Sequence, residues 1–271
     1  MVAKLWDNLR HDVRMFWLAW LVQFRAATEL RGAFVLQVVG MIANNTGLLV
    51  AWLFLFTRFG TINGWAAPDL IGVQGVNMVI FGSVMLFNNG FTELSRYVDQ
   101  GAFDAFLTRP MSVLAQVASS RIEIATCGDL IMGVSLLVWY AIHVHAGLAA
   151  LGLFVLAYAT GVMILWCFTL LPYLLAFYLL DTDKVARNIS MFFLDTGIYP
   201  SGVLSGALRT VLLTAFPGLL VGVVPLDVLR GIRFEYVAIG AVVTAVWLAI
   251  TLWAFKRSLR RYESANLVGA R

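Results

Sequence analysis

The sequence predicts an all-α, polytopic integral membrane protein, and two observations carry that prediction. Of its 271 residues, 61% are hydrophobic and 13% are charged, with a mean hydropathy of +0.86; a soluble domain of this length carries about 25% charge. Stretches without Asp, Glu, Lys or Arg lie between Arg31 and Arg58, Asp69 and Glu93, Asp129 and Asp181, and Glu235 and Lys256. Each reaches the roughly 20 residues that a helix needs to cross a hydrocarbon core.

The chain reads as one transmembrane domain over residues 1–271 with six crossings. Residues 4–31 predict an interfacial helix, because Trp6, Leu9, Val13, Phe16, Trp20 and Phe24 recur at helical spacing while Asp7, Arg10, His11 and Arg14 fall on another face. A span starting this early would carry Arg25, Glu29 and Arg31 into hydrocarbon at about 2–3 kcal/mol each. No apolar core with a small-residue cleavage site follows the first residues, so no removable signal peptide is expected. The first span is placed at 32–57 and the second at 70–92, followed by a polar loop over 93–112. The third is placed at 119–142 and the fourth at 148–180, joined by the turn "HVHAG" at 143–147.

The fifth span is placed at 186–204 and the sixth at 236–256, with a tail over 257–271. Between them, 205–231 is apolar, and Pro200, Pro217 and Pro225 punctuate this region. Proline removes a backbone donor and ends or bends a helix, so two short re-entrant helices are expected there. Lys and Arg number fifteen on the side of both termini and four on the other (Arg58, Arg209, Arg230 and Arg233), which predicts cytoplasmic termini.

Composition also narrows the chemistry. Cys127 and Cys167 lie in apolar runs and suggest neither a disulfide framework nor a metal box. The pI near 9.3 arises from basic residues scattered over loops, which points to lipid head groups and not to nucleic acid. His143 and His145 lack a third ligand for a metal site. None of the three lysines follows the glycine pattern of a phosphate-binding loop, so no cofactor is expected on this chain. No Ser or Cys has a visible His and acid partner, and no catalytic residue is expected.

The polar loop contains "RYVDQGAFDAFLTRP" at 96–110. Tyr97, Phe103, Phe106 and Leu107 offer apolar contacts, Asp99 and Asp104 offer charge, Gly101 permits a bend and Pro110 opens the next element. A short amphipathic helix of this kind suits a groove on a cytoplasmic partner, or the lipid surface.

The stretch Gly101-Ala-Phe-Asp104-Ala-Phe-Leu107-Thr-Arg109-Pro110 resembles the G-x-x-D-x-x-L-x-K/R-P motif of ABC-2 type transporter permeases. The proline-punctuated segment ending in Leu229-Arg230-Gly231 and the tail "RRYES" at 260–264 are similar to features of a bacterial subgroup. The resemblance implies a bacterial inner-membrane exporter subunit for an amphipathic, drug-like or lipid-like substrate. It further implies two copies of a separate ABC ATPase that bind ATP and Mg, and a second permease, identical or homologous. In that pattern 96–110 is the coupling helix, with Tyr97, Asp99, Gly101, Phe103, Asp104, Phe106, Leu107, Arg109 and Pro110 as its contact set. Tyr199, Pro200, Pro217, Pro225 and Arg230 mark the outer segment.

Inside the spans, Asn44 and Asn45 fall in the first, and Asn77, Asn88 and Asn89 in the second. They are expected either to line a translocation path or to form interhelical hydrogen bonds. Acids at membrane depth attract a functional hypothesis. Asp195 is expected at a gate or dimer contact, whereas Asp129 is adequately explained by a local ion pair involving Arg121 and Glu123 or by an interfacial position. A proton-coupled secondary transporter would show an internal repeat with broken helices in both halves, and the proline interruptions lie only in the C-terminal half. A lipid-modifying enzyme would need His143 or His145 as its base.

Overall fold

The computed structural model describes the backbone of residues 2–61, 64–198, 206–231 and 234–269, and side chains over 10–57, 60–61, 64–198, 206–231 and 235–262. The described elements are helical: α1 (Val2–Glu29), α2 (Arg31–Phe59), α3 (Ala67–Asn88), α4 (Leu94–Asp99), α5 (Asp104–Leu107), α6 (Val113–Ala118), α7 (Thr126–His143), α8 (Leu148–Leu170), α9 (Asp183–Thr196), α10 (Gly206–Thr214), α11 (Val223–Gly231) and α12 (Phe234–Gly269). Short 3-10 turns at Asn89–Glu93, Pro172–Phe177 and Gly218–Leu220 extend or join them. Tyr199 and Pro200 lie outside the described residues.

Among the described residues, five stretches have the length and apolarity to cross a membrane: Arg31–Thr57, Ala67–Asp99, Thr126–His143, Leu148–Phe177 and Glu235–Tyr262. Six were expected. The element described at the predicted fifth span, α9, has 14 residues. At 1.5 Å per residue it covers about 21 Å, short of a hydrocarbon core of about 30 Å. It also carries Asp183, Lys184, Arg187, Asn188 and Asp195, so its apolar face is a stripe and not a cylinder. The third predicted span starts late for a similar reason. Residues 119–125 form a turn around Arg121 and Glu123, and the helix begins at Thr126.

The bundle is arranged around α3, whose interior face and flanks are almost wholly buried. The main core joins Val73, Val76 and Ile80 of α3 to Tyr140 of α7, Ile164 of α8, Phe193 of α9 and Leu220 and Leu226 of the outer segment. By contrast α2, α7, α8 and α12 keep large apolar side chains exposed, among them Val35, Leu36, Ile131, Val155 and Val242. In water such a surface would be unfavourable by about 25 cal/mol per Å². In lipid it is the natural exterior.

Helix α1 is separate from α2, with the break at Leu30, whose dihedrals (φ −86°, ψ 78°) are not helical. Part of its predicted apolar face turns inward. Trp20 is buried, donates Nε1–H to the Leu86 carbonyl at 2.9 Å, and stacks on Phe24 and Phe87. Val13 instead is exposed, as are Met15, Leu18 and Val22, so α1 presents a second apolar face that is not packed into the core.

At the base, the turn after α3 passes so close to α6 that only glycine fits. A Cβ on Gly90 would collide with the Val117 carbonyl and lie 3.0 Å from the Ala118 carbonyl. Backbone cannot rotate away as a side chain can. Gly90→Ala is expected to destabilise the chain by about 1–3 kcal/mol, as overpacking does, read as a lower thermal midpoint in detergent.

Candidate functional site

Four features line up from the base of the bundle to its far end, beginning with the segment 96–110. It is not one helix: α4 stops at Asp99, Gly101 takes φ +69°, and α5 is a single turn. A positive φ is unfavourable by about 1–2 kcal/mol for a residue with a Cβ, which explains glycine there. Of the segment's aromatic side chains, Phe103 and Phe106 face inward and Tyr97 is half-buried. Phe103 is fully buried and meets Phe177 at 5.1 Å and Tyr262 at 5.0 Å, both edge to face. Phe106 is also buried, against Tyr97 and Phe103, and Leu107 packs beside them. Each edge-to-face pair contributes about 0.5–1.5 kcal/mol beyond its buried area.

This aromatic cage ties the turn to the Pro172–Phe177 turn after α8 and to the C-terminal half of α12. Tyr262 adds a hydrogen bond, donating to Asp104 Oδ1 at 2.8 Å. What remains outward is Asp99, Gly101, Asp104, Arg109 and Pro110.

Above the cage lies a cavity of about 390 Å³, enclosed by α2, α3, α8 and α9 together with the turns after α3 and before α7. Its lower wall is polar, with Asn89, Glu93, Arg121, Glu123 and Arg187; its upper wall is apolar, with Met41, Phe81, Met85 and Leu194. Glu93 binds two guanidiniums, Arg96 at 2.9 Å and Arg121. Arg121 therefore pairs with Glu93 and not with Asp129, which corrects the expected local ion pair. Asp129 is buried in α7 and accepts a hydrogen bond from Asn45 Nδ2 of α2 at 2.6 Å. Glu93, which organises this wall, appears in sequence as the residue closing an uncharged run; Arg96 lies three residues on, but no local signal marks Arg121 as its second partner.

Halfway along α3, Asn77 meets the end of α9. Its Nδ2 donates to the Gly197 carbonyl at 3.2 Å and to Val73 O within α3 at 2.9 Å. Gly197, Gly218 and Gly222 crowd around it, for a Cβ on Gly197 would sit 2.9 Å from Asn77 Oδ1 and 3.2 Å from the Gly218 carbonyl. The segment with Pro217 thus reaches the middle of the bundle, where the Leu220 carbonyl also faces Gly161 near the middle of α8. Asn88 accepts from Trp166 Nε1 at 3.3 Å, and Asn89 donates to Glu123 at 3.4 Å. Asn44 and Asp195 are exposed on α2 and α9. The structure therefore gives four of the five asparagines hydrogen bonds that join segments of this chain and leaves one facing outward.

At the far end, Arg230 of α11 joins four partners. It pairs with Asp69 at 3.3 Å and with Asp227 at 3.6 Å, donates to the Gly64 carbonyl at 2.8 Å, and lies over the Trp65 ring at 5.0 Å. Tyr140 donates to the same Asp69 Oδ1 at 2.7 Å, and Asp69 Oδ2 accepts from the Ala66 N–H at 2.9 Å. This network fastens the outer segment to the start of α3 and the end of α7. Pro225 falls in the first turn of α11, where its missing N–H has no intrahelical acceptor to lose. His143 stacks on Trp139 and both it and His145 are exposed. Among the described residues no three His, Cys, Asp or Glu side chains gather as a metal site.

The sequence profile described as "ABC-2 family transporter protein" matches residues 42–266. The chain belongs to the ABC-2 transporter family. It is a multi-pass membrane component, a permease and not itself the ATPase of such a transporter. Members of this family generally work with an ABC ATPase subunit. The match covers the features above apart from Met41 of the cavity wall, and leaves out α1 and the first turns of α2. No curated protein and no solved structure gives a match.

Asn77 supplies a donor that an apolar side chain of its size lacks. Asn77→Val is expected to leave the Gly197 carbonyl buried and unpaired, destabilising the protein by about 1–3 kcal/mol, seen as a lowered thermal midpoint with secondary structure retained.

Proposed function

We propose that this permease exports an amphipathic, drug-like or lipid-like substrate, driven by two copies of a separate ATPase that bind ATP and Mg. The observation that carries this reading is the outward turn at Asp99, Gly101, Asp104, Arg109 and Pro110, clamped through Phe103 and Phe106 to the ends of three spans. A push delivered there passes to α3, α8 and α12 at once, because close-packed aromatics transmit displacement and do not absorb it. The charged outer face suits a cytoplasmic partner, and the basic residues of this end, Arg14, Arg25, Arg96, Arg109, Arg121 and Arg187 among them, favour cytoplasmic termini in a bacterial inner membrane.

The cavity above the cage supports the substrate class. A polar floor and an apolar roof accommodate a molecule with a polar head and an apolar body, and its volume falls within the range of about 300–1,000 Å³ of small-molecule sites. Asn44 and Asp195, exposed among apolar side chains of α2 and α9, favour a second permease, identical or homologous, packed over that face. The segment 206–231 then dips from the outer surface as a re-entrant pair, its Gly218–Leu220 turn lying at the depth of Asn77. Asn44 and Asp195 then border the path between the two permeases, while Asn45, Asn77, Asn88 and Asn89 hold this chain's own segments together.

Asp99→Lys and Arg109→Glu reverse charge at outward positions without touching the aromatic cage. Each is expected to reduce co-purification of the ATPase at least about tenfold, the loss that 1.4 kcal/mol produces, with the permease's own thermal midpoint unchanged. Undiminished ATPase recovery with both variants would overturn the reading.

A further inference from the structure

A groove of about 580 Å³ runs between α1 and the α5–α6 segment. One wall is a stripe of α1, Met15, Leu18, Ala19 and Val22, at the i, i+3, i+4, i+7 spacing of a single helical face. Met15, Leu18 and Val22 are 39%, 48% and 66% exposed. The facing wall is formed by Phe106, Arg109 to Met111, Gln116, Ser119 and Ser120. Two hydrogen bonds brace the walls. Gln23 Nε2 donates to the Ser120 carbonyl at 3.1 Å, and the Ser112 N–H donates to Asp12 Oδ1 at 3.4 Å. The groove is thus built into the fold.

Its rim is cationic. Arg109 lies at the mouth, while Arg14 and Arg25 sit one turn from Leu18 and Val22 on the same side of α1. All three are exposed, and none makes an ion pair among the described residues. Asp12 is engaged by Ser112 and His11. Inside the groove Gln116 is 5% exposed; its Nε2 donates to the Phe106 and Met111 carbonyls, and its Oε1 has no partner. An apolar trough, a ring of unpaired guanidiniums and one unpaired buried acceptor match an acyl chain, a phosphate and a hydroxyl-bearing head group.

We propose that this groove binds one anionic glycerophospholipid of the cytoplasmic leaflet. The acyl chain lies along Met15, Leu18 and Val22, the phosphate meets Arg14, Arg25 and Arg109, and a head-group hydroxyl donates to Gln116 Oε1. The siting at that leaflet rests on the orientation given under Proposed function. The lipid bridges α1 to the turn that faces the ATPase, so its occupancy sets how firmly that turn is held. The α1 wall lies outside the stretch that matches the ABC-2 family, and the facing wall lies within it.

The test uses the full chain, delipidated in mild detergent and titrated with phosphatidylglycerol or phosphatidylcholine, with bound lipid counted by native mass spectrometry. The wild type is expected to retain one phosphatidylglycerol per chain in preference to phosphatidylcholine. Ala19→Trp and Val22→Trp fill the trough and are expected to lose it, while Arg25→Gln weakens binding about fivefold, the contribution of one basic residue at an anionic surface. Val22 is exposed enough to accept tryptophan without refolding the helix. Equal retention of the two lipids, or undiminished binding in both tryptophan variants, overturns the proposal. So does cross-linking of Val22→Cys to the ATPase in the assembled complex, which would make the groove a protein contact. Because the titration needs no ATPase, failure of the transport reading leaves its result distinct.

Discussion

A backbone carbonyl or amide inside an apolar medium has no water to turn to, and this requirement shapes the centre of the molecule. Helix α9 stops at Thr196, level with the middle of α3, and the chain beyond it cannot leave its last carbonyls unpaired. Asn77 takes the Gly197 carbonyl, and three glycines allow the Gly218–Leu220 turn to close over the same point. A side chain at Gly197 or Gly222 would displace the asparagine or a carbonyl, and one at Gly218 would strike the Thr196 side chain. The outer segment is buried where it is because α9 ends where it does.

The two ends of the bundle are fixed by different chemistry. At the far end, Arg230 gathers Asp69, Asp227, the Gly64 carbonyl and the Trp65 ring, so α11 is fastened by charge and directed hydrogen bonds. At the base, Phe103, Phe106, Phe177 and Tyr262 fasten the turn after α4 by edge-to-face packing. Close-packed aromatics carry their members along as one body, whereas a multiply bonded guanidinium holds one geometry against its neighbours. A base that moves as a unit against a pinned far end suits a permease whose driving force comes from outside its own chain.

The cavity between these ends inherits its polarity from the same arrangement. Glu93, held by Arg96 and Arg121, brings charge as far as the first turn beyond α3, and methionine and phenylalanine line the space above. The boundary follows the fold, since the polar residues come from the turns at the helix ends and the apolar ones from the helices themselves.

Several elements were legible in the sequence because they depend only on local composition. Uncharged runs mark α2, α3, α7, α8 and α12, the prolines mark the broken outer segment, and the glycine of the 101–110 motif marks a left-handed turn. Length and hydropathy suffice there, because the solvent for those helices is lipid and each satisfies its own backbone. Partners were not legible. That Arg121 joins Glu93, that Asp129 meets Asn45, that Asn77 caps α9 and that Phe103 turns inward all depend on residues brought together from distant segments. The shortness of α9 is of the same kind. A short amphipathic helix becomes stable only when a neighbour supplies its missing hydrogen bonds, and only the tertiary structure decides where that neighbour stands.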